Sequence, residues 1–472
     1  MGRPRSAPSE GGSNAEYRRV LEDLFHRRRF GMKPTLEVAR RLLFELGDPQ
    51  RRAPSIHITG SKGKGSVAAM SEAILRAHGR RTGLFTSPHL VSYRERIRVN
   101  GAPIPPEEVV DGIHRIEEVA GRLERTGAID RPPTFFEVTT ALAFDWFRRE
   151  NADALVVEVG IGGRWDATNL LASRVGVVTT LELEHVQILG PTLAAIAGQK
   201  SGIFHAGMHG IVGQLPDEGR AVLEAVAGSL GVPLWHLGEE IAVLDRHWTR
   251  AYQEFTVSWP GRERFPVRLR LEGDFQSRNA ALALAATHRF LEMGSEGPHW
   301  SVTRSRSALA RLEIPGRMER VARDPPTYFD VAHTPESARA VARSLAEVLP
   351  FAEPAESAIV FGCLRDKPAA EILEALRPLA RTIVLVPVRS ERGVAPSELR
   401  VVATGRFPRV VVAPSALEGY RLARAATGDG GLLLALGSDY LIGELKRGTA
   451  GVSIEEPDLS DPGRMSLPGA AG

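Results

Sequence analysis

Between Ser55 and His78 an apolar run, a glycine-rich turn and a helical period follow one another without a break, and no other stretch constrains the fold as tightly. Ser55 to Thr59 suits a buried strand, Gly60-Ser61-Lys62-Gly63-Lys64-Gly65-Ser66 is the turn, and Ser66 to His78 carries the helical spacing. That order is the context of an anion site, because the loop N–H groups and the helix N-terminus aim at one place. The turn departs from the strict GxxxxGK[ST] form: Ile58 stands where the first glycine is required and Gly65 where the hydroxyl is required. It reads as a shorter GxxGKGS variant in which Gly60, Gly63 and Gly65 permit close backbone approach and Lys64 supplies charge to the β- and γ-phosphates of ATP. Ser66 then caps the helix and touches Mg²⁺, and Lys62 is either a second phosphate contact or a solvated side chain. An ordinary glycine-rich βα turn is the alternative.

The alternation continues along the chain. Ala154 to Val159 and Val175 to Thr180 are further short apolar runs, with a helical period over Phe136 to Arg149, as expected of βαβ units around a mostly parallel sheet. After about residue 297 the rhythm restarts, with strands expected at Ala358 to Phe361, Thr382 to Val386, Val410 to Val412 and Leu432 to Leu436. Helical stretches at Ala369 to Leu379 and Leu417 to Ala426 separate them. The fold class is therefore α/β, a P-loop NTPase-like N-terminal domain over 16–297 and a Rossmann-like domain over 298–450. Glu292 to Ser301 is the expected linker, and 1–15 and 451–472 are expected tails.

Composition narrows the function classes. With 472 residues, 43% hydrophobic and 25% charged, the chain is a soluble multidomain protein in kind, and a formal charge of +3 without basic blocks gives no sign of nucleic-acid binding. One cysteine, Cys363, rules out an intramolecular disulfide and multi-thiolate metal sites. No secretory h-region or membrane-length apolar run is present, so a cytoplasmic protein without membrane partner is expected, and a monomer is the working expectation. Met1-Gly2 with Ser6 matches the loose myristoylation pattern, for which a plain tail is the alternative.

Single residues add chemistry. Glu158 closes a buried strand ahead of Gly160, Gly162 and Gly163, placing a carboxylate where open α/β sheets bind ligands; capping a neighbouring loop is its other reading. His185, Ser87, Lys200, Arg317 and Asp330 have ordinary readings as a structural histidine, a Ser-Pro turn, an exposed cation in the last turn of a helix, a solvated loop charge and a turn former.

An ordered set of segments changes those readings. "TGSKGKGS" resembles the TGTNGKGS loop of folylpolyglutamate synthases and dihydrofolate synthases, members of the Mur ligase superfamily. "TGLFTSPHLVSYRERIRVNG", "FFEVTTALAF", "VVEVGIGGRWDATNL", "LEHVQILGPTLAAIAGQKSGIF", "GDFQSRNAALAL", "IPGRMERV", "FDVAHTPES" and "LGSDYLIGEL" continue the resemblance in order over about residues 16 to 447. It implies an ATP-dependent ligase that adds L-glutamate to the γ-carboxylate of folate through an acyl phosphate, with groups from both domains in the active site. It implies Ser87, Glu158, His185 and Ser66 as Mg²⁺ ligands, and Lys64, His185 and Lys200 as catalytic, Lys200 as a carbamate holding a second Mg²⁺. It implies Gln276, Asn279, Arg317 and Asp330 beside ATP with the loop Gly60 to Ser66, and His89, Phe135, His333 and Ser438 beside the substrates. Departures are Glu184 and Val186 around His185, Phe275 where many members carry His, Val331 and Pro368. Dihydrofolate synthase activity on dihydropteroate, alone or in addition, stays open at this point. So do a cell-wall Mur ligase, a P-loop kinase or nucleotide switch, and a non-catalytic binding protein.

Overall fold

The computed structural model describes residues 10–27, 35–249, 252–294 and 299–450, so the N-terminal acylation pattern, the C-terminal tail and the middle of the expected linker lie outside the described residues. Contacts divide the described chain into two compact units, one built from residues up to 241 with 282–305 and the other from 242–281 with 306–450. The division is interleaved rather than a single cut at 297, because the helix Asp274–Glu292 is shared between them.

The first unit is organised by β1 (Ser55–Thr59), every residue of which is buried. It lies between β5 (Ala154–Glu158) and β6 (Ser173–Val178), parallel to both. The other strands are β2 (Thr82–Phe85), β3 (Ile97–Val99), β4 (Ala102–Pro103), β7 (His209–Val212) and β8 (Leu234–His236), in the order β4-β3-β2-β5-β1-β6-β7-β8. Only β3 and β4 run antiparallel to their neighbours. Short, wholly apolar strands are the expected solution for a parallel sheet covered on both faces. The helix Phe135–Arg149 supplies much of one cover with Phe144 and Phe147, and the helix Glu10–Phe25 joins that core through Tyr17, Leu21 and Leu24. This helix begins inside the stretch expected as a tail; burial of its apolar face holds it there.

The second unit holds two sheets. The first, not among the expected elements, is an antiparallel meander of β9 (Ala242–Trp248), β10 (Gln253–Trp259) and β11 (Arg262–Leu269). The other has β12 (Glu319–Arg323), β13 (Pro326–Phe329), β14 (Ala358–Phe361), β15 (Thr382–Leu385), β16 (Arg409–Val412) and β17 (Leu433–Leu436), in the order β12-β13-β17-β14-β15-β16. All but β12 are parallel, as the Rossmann-like expectation requires.

The end of the expected linker is not loose. Trp300 is buried, its ring stacked on His78 at 6.4 Å and edge-on to His288 at 5.3 Å, while the Ser301 N–H donates to His78 Nε2 at 2.8 Å. Burial of so large a ring makes this anchor a stabilising one. Trp300→Ala is expected to lower the unfolding free energy by about 3–5 kcal/mol, read as a lower urea midpoint with an unchanged slope.

Candidate active site

The carboxyl edge of the first sheet gathers the loop after β1 with those after β2, β5 and β6. The helix Lys64–Ala77 starts at Lys64 with Gly63 as N-cap, in a left-handed conformation (φ 84°) and without any side-chain cap bond. Ser66 is therefore not the helix cap expected above but a buried residue of the first turn. The Lys64 ammonium turns back on its own loop and donates to Gly60 O at 2.8 Å and Ser61 O at 3.4 Å. From the end of β6, Thr180 O accepts from Ser61 N at 2.9 Å, Glu182 N donates to Ser61 Oγ at 2.9 Å, and Lys62 N donates to Thr180 Oγ1 at 2.8 Å.

Glu158, buried at the last position of β5, accepts through Oε2 from the Ser87 N–H at 3.0 Å. Gly65, in the first turn of the helix, lies beside this carboxylate: a Cβ there would stand 3.5 Å from Glu158 Oε2, in ordinary contact. The Gly160-to-Gly163 segment that follows is held by Asp166, whose carboxylate accepts from Gly160 N at 3.0 Å, Ile161 N at 3.2 Å and Thr168 N at 3.0 Å. Thr168 Oγ1 also donates to Asp166, so the 2.8 Å contact between Thr168 and His57 has His57 Nε2–H as donor. Burial pushes His57 down to about 3, which keeps it neutral.

After β6 the chain reaches Glu184 and His185. His185 is exposed and adopts a left-handed conformation (φ 46°) as N-cap of the short helix Val186–Leu189. Lys200, at the end of the helix Leu193–Lys200, is only 1% exposed and pairs with Glu184 Oε1 at 3.0 Å, which replaces the ordinary reading of an exposed cation. Burial lowers the Lys200 amine to about 8 although Glu184 opposes the shift. Burial alone would raise Glu184, but the charges of Lys64 and Lys200 outweigh it and bring the carboxyl to about 2.

The loop after β2 is shaped by Glu95, whose carboxylate accepts from the N–H groups of Leu90, Val91 and Ser92 at 2.8–3.0 Å. Arg96, buried, donates to His89 Nδ1 at 2.9 Å, which leaves the His89 proton on Nε2, and stands 5.3 Å over the Phe135 ring. Phe25, His89, Tyr93 and Phe135 close an aromatic box with centroids 5.1–6.3 Å apart; Phe135, fully buried, forms its back wall.

The remaining candidates belong to the second unit. Asp330 directly follows β13 and accepts from Met318 N and Ala332 N, both at 2.7 Å. Burial pushes its carboxyl up to about 6 against the pull of Arg317. His333 Nδ1–H donates to Val331 O at 2.8 Å, leaving Nε2 as acceptor, and Ser438 Oγ accepts from Tyr440 N at 3.2 Å. At the start of the helix Asp274–Glu292, Gln276 Oε1 accepts from Asn279 Nδ2 at 3.0 Å, while Gln276 Nε2 is buried without a partner; Phe275 packs on the apolar cluster of this unit.

Sequence reasoning missed Thr179, Thr180, Asp166, Glu95 and the partner of Lys200. The hydroxyl pair directly after an apolar run, in "VGVVTTLELEH", was the available signal for the first two.

Comparison with known proteins supplies the remaining findings. Residues 112–287 match the Mur ligase middle domain, and residues 316–439 the Mur ligase glutamate ligase domain. The dihydrofolate synthase/folylpolyglutamate synthase of Mycobacterium tuberculosis is 34% identical over 411 residues, 85% of this chain and 83% of the relative. The enzyme of the same description from Bacillus subtilis is 32% identical over 76% of this chain and 82% of its own length. Among solved structures, M. tuberculosis folylpolyglutamate synthase complexed with ADP and AMPPCP superposes with a TM-score of 0.83 at 32% identity, covering 93% of this chain and 99% of that one. The apo form of the L. casei enzyme gives 0.82 at 28% identity, covering 92% and 100%.

The Lys200–Glu184 pair carries a pH signature. In Glu184→Gln the buried ammonium loses its carboxylate, at an expected cost of about 3–5 kcal/mol while Lys200 is charged. Loss of Glu184, which opposes the lowering, takes the variant's Lys200 amine below about 8, so the cost is full only below the variant's own value, shrinks as pH rises between the two values, and is gone above about 8, where the wild-type amine sheds its proton as well. Thermal unfolding of both proteins at pH 7 and pH 9.5 measures this, and a gap that widens with pH would refute it.

Proposed function

The chain belongs to the folylpolyglutamate synthase and dihydrofolate synthase family of Mur ligases, and from that premise we propose how its own residues perform an ATP-dependent ligation of L-glutamate to a folate. The observation that carries the reading is the buried Glu158 carboxylate set against Gly65 at the start of the phosphate-loop helix, with the Lys64 ammonium on the same loop. A helix N-terminus, a cation and a carboxylate at one strand edge suit a bound nucleoside triphosphate.

A carboxylate oxygen of the folate γ-carboxyl attacks the γ-phosphorus of ATP, the bond to the β-γ bridging oxygen breaks and ADP leaves. The glutamate amine, having lost a proton, attacks the acyl carbon; the tetrahedral intermediate collapses with departure of phosphate, and an amide remains. Lys64 and the N–H groups at the helix start neutralise charge on the transferring phosphoryl group. His89, with its proton on Nε2, and the aromatic box beside it hold the acceptor. Asp330 and Arg317 bind ribose and phosphate, Gln276 Nε2 and Asn279 serve the purine, and His333 and Ser438 take the incoming glutamate.

Mg²⁺ fits the residues of the first unit. The buried Glu158 carboxylate beside the start of the phosphate-loop helix suits an ion bound by one or two carboxylates together with phosphate oxygens and water. Glu158, the hydroxyls of Ser66 and Ser87, and His185 would hold it, and it would supply positive charge against the charge that develops during phosphoryl transfer. Carbamylation of Lys200 belongs to the same proposal: an amine lowered to about 8 offers CO₂ a substantial neutral fraction near neutrality. The carbamate would put an anion beside Glu184, and the two together would hold a second cation.

The M. tuberculosis and B. subtilis relatives are both described by two activities, dihydrofolate and folylpolyglutamate synthesis, which favours dihydropteroate as a second acceptor for this chain. ADP release with tetrahydrofolate and with dihydropteroate, each with and without glutamate, separates the cases. Sustained turnover only with glutamate is expected, and Lys64→Ala should lower it on the order of a hundredfold or more. Glutamate-independent ADP release with a folate would instead identify a kinase, and full activity in Lys64→Ala would overturn the site.

A further inference from the structure

We propose that Thr180, assisted by Thr179, is the positioning residue of the phosphate loop, and that it confines the loop's anion cradle to the N–H groups of Gly63, Lys64, Gly65 and Ser66. The inference rests on the nucleotide-binding part of the reading above and adds which donors meet the phosphates and what holds them in place.

The geometry is specific. Thr180 Oγ1 accepts from Lys62 N at 2.8 Å and donates to Lys62 O at 3.3 Å, so one hydroxyl engages both polar groups of a single residue, as a neighbouring strand would. Thr180 O accepts from Ser61 N at 2.9 Å. Thr179 Oγ1 donates to Lys62 O at 2.5 Å, with Thr59 O at 3.3 Å from the same hydroxyl oxygen, and the Thr179 N–H donates to that Thr59 carbonyl at 2.9 Å. The fit is close enough to dictate the residue opposite: a Cβ on Gly60, whose φ is +141°, would come 1.9 Å from Thr179 Oγ1.

A consequence follows for the donors. The N–H groups of Ser61 and Lys62 are committed to Thr180 and cannot turn to a phosphate without breaking those bonds. The first intrahelical bond runs from Val67 N to Gly63 O at 2.9 Å, which leaves the N–H groups of Gly63 to Ser66 without an acceptor inside the helix. These, with Lys64, are what an anion meets. The carbonyls on which the Lys64 ammonium rests, Gly60 O and Ser61 O, belong to the segment that the threonines fix, so the resting place of the cation depends on the same clamp.

Thr180→Val keeps the shape and β-branching of the side chain and deletes both hydroxyl bonds. The expected result is a rise of about tenfold in the KM for ATP and in the Kd for ADP, a loss the size of one to two net hydrogen bonds. The KM values for glutamate and folate should stay within about twofold and the nucleotide-free Tm within a few degrees, while Thr180→Ser restores the ATP and ADP values. An unchanged Kd for ADP in Thr180→Val, with or without a lower Tm, or a serine variant as impaired as the valine one, would overturn the proposal. Amide exchange of the wild-type protein tests it without any variant: Lys62 should be protected before ADP is added, and Gly63 to Ser66 only afterwards. Fast exchange at Lys62 in the free protein is an adverse result. Wild-type protein that binds ADP in this pattern but makes no amide would remove the ligase reading and leave this one standing.

Discussion

A strand buried on both faces between parallel neighbours can offer chemistry only at its end. β1 is such a strand, and its confinement between β5 and β6 brings three loops to one sheet edge. The phosphate loop leaves from the central strand, Glu158 ends one neighbour, and the Thr179-to-His185 segment leaves from the other. The register that pairs Ile58 with Glu158 and with Val177 sets the relative height of these groups before any side chain contributes.

Charge is then distributed over this edge in a compensated way. Lys64 and Lys200 are both felt by Glu184, which keeps that carboxylate ionised despite its burial, while Glu158 is engaged separately by the Ser87 backbone. A ligand bringing several negative charges would compete with Glu184 for the ammonium groups of Lys64 and Lys200.

Much of the fold was legible because parallel strands announce themselves. β1 and β14 have the expected bounds, and β5, β15 and β17 differ by one residue, since short runs dominated by Val, Ile, Leu and Ala have few other uses. The meander β9 to β11 escaped notice although Phe255, Val257 and Trp259 alternate with polar residues at strand spacing; charged and polar residues fill its outward face and mask the pattern. Within the site, residues with a distinctive type at a strand end, such as Glu158, could be found from sequence. The burial of Lys200 could not, because its depth is set by where the helix Leu193–Lys200 packs, not by its neighbours in sequence. The hydroxyl pair after β6 was visible but its role was not, because its partners lie some 120 residues earlier in the chain.

The buried line from His57 through Thr168 to Asp166 joins the middle of β1 to the loop that follows Glu158. Each member satisfies the next, so a change at one leaves a buried donor or acceptor stranded at another. The core strand and the loop after Glu158 are thereby coupled in energy: replacing any one of the three costs the desolvation of the group it strands.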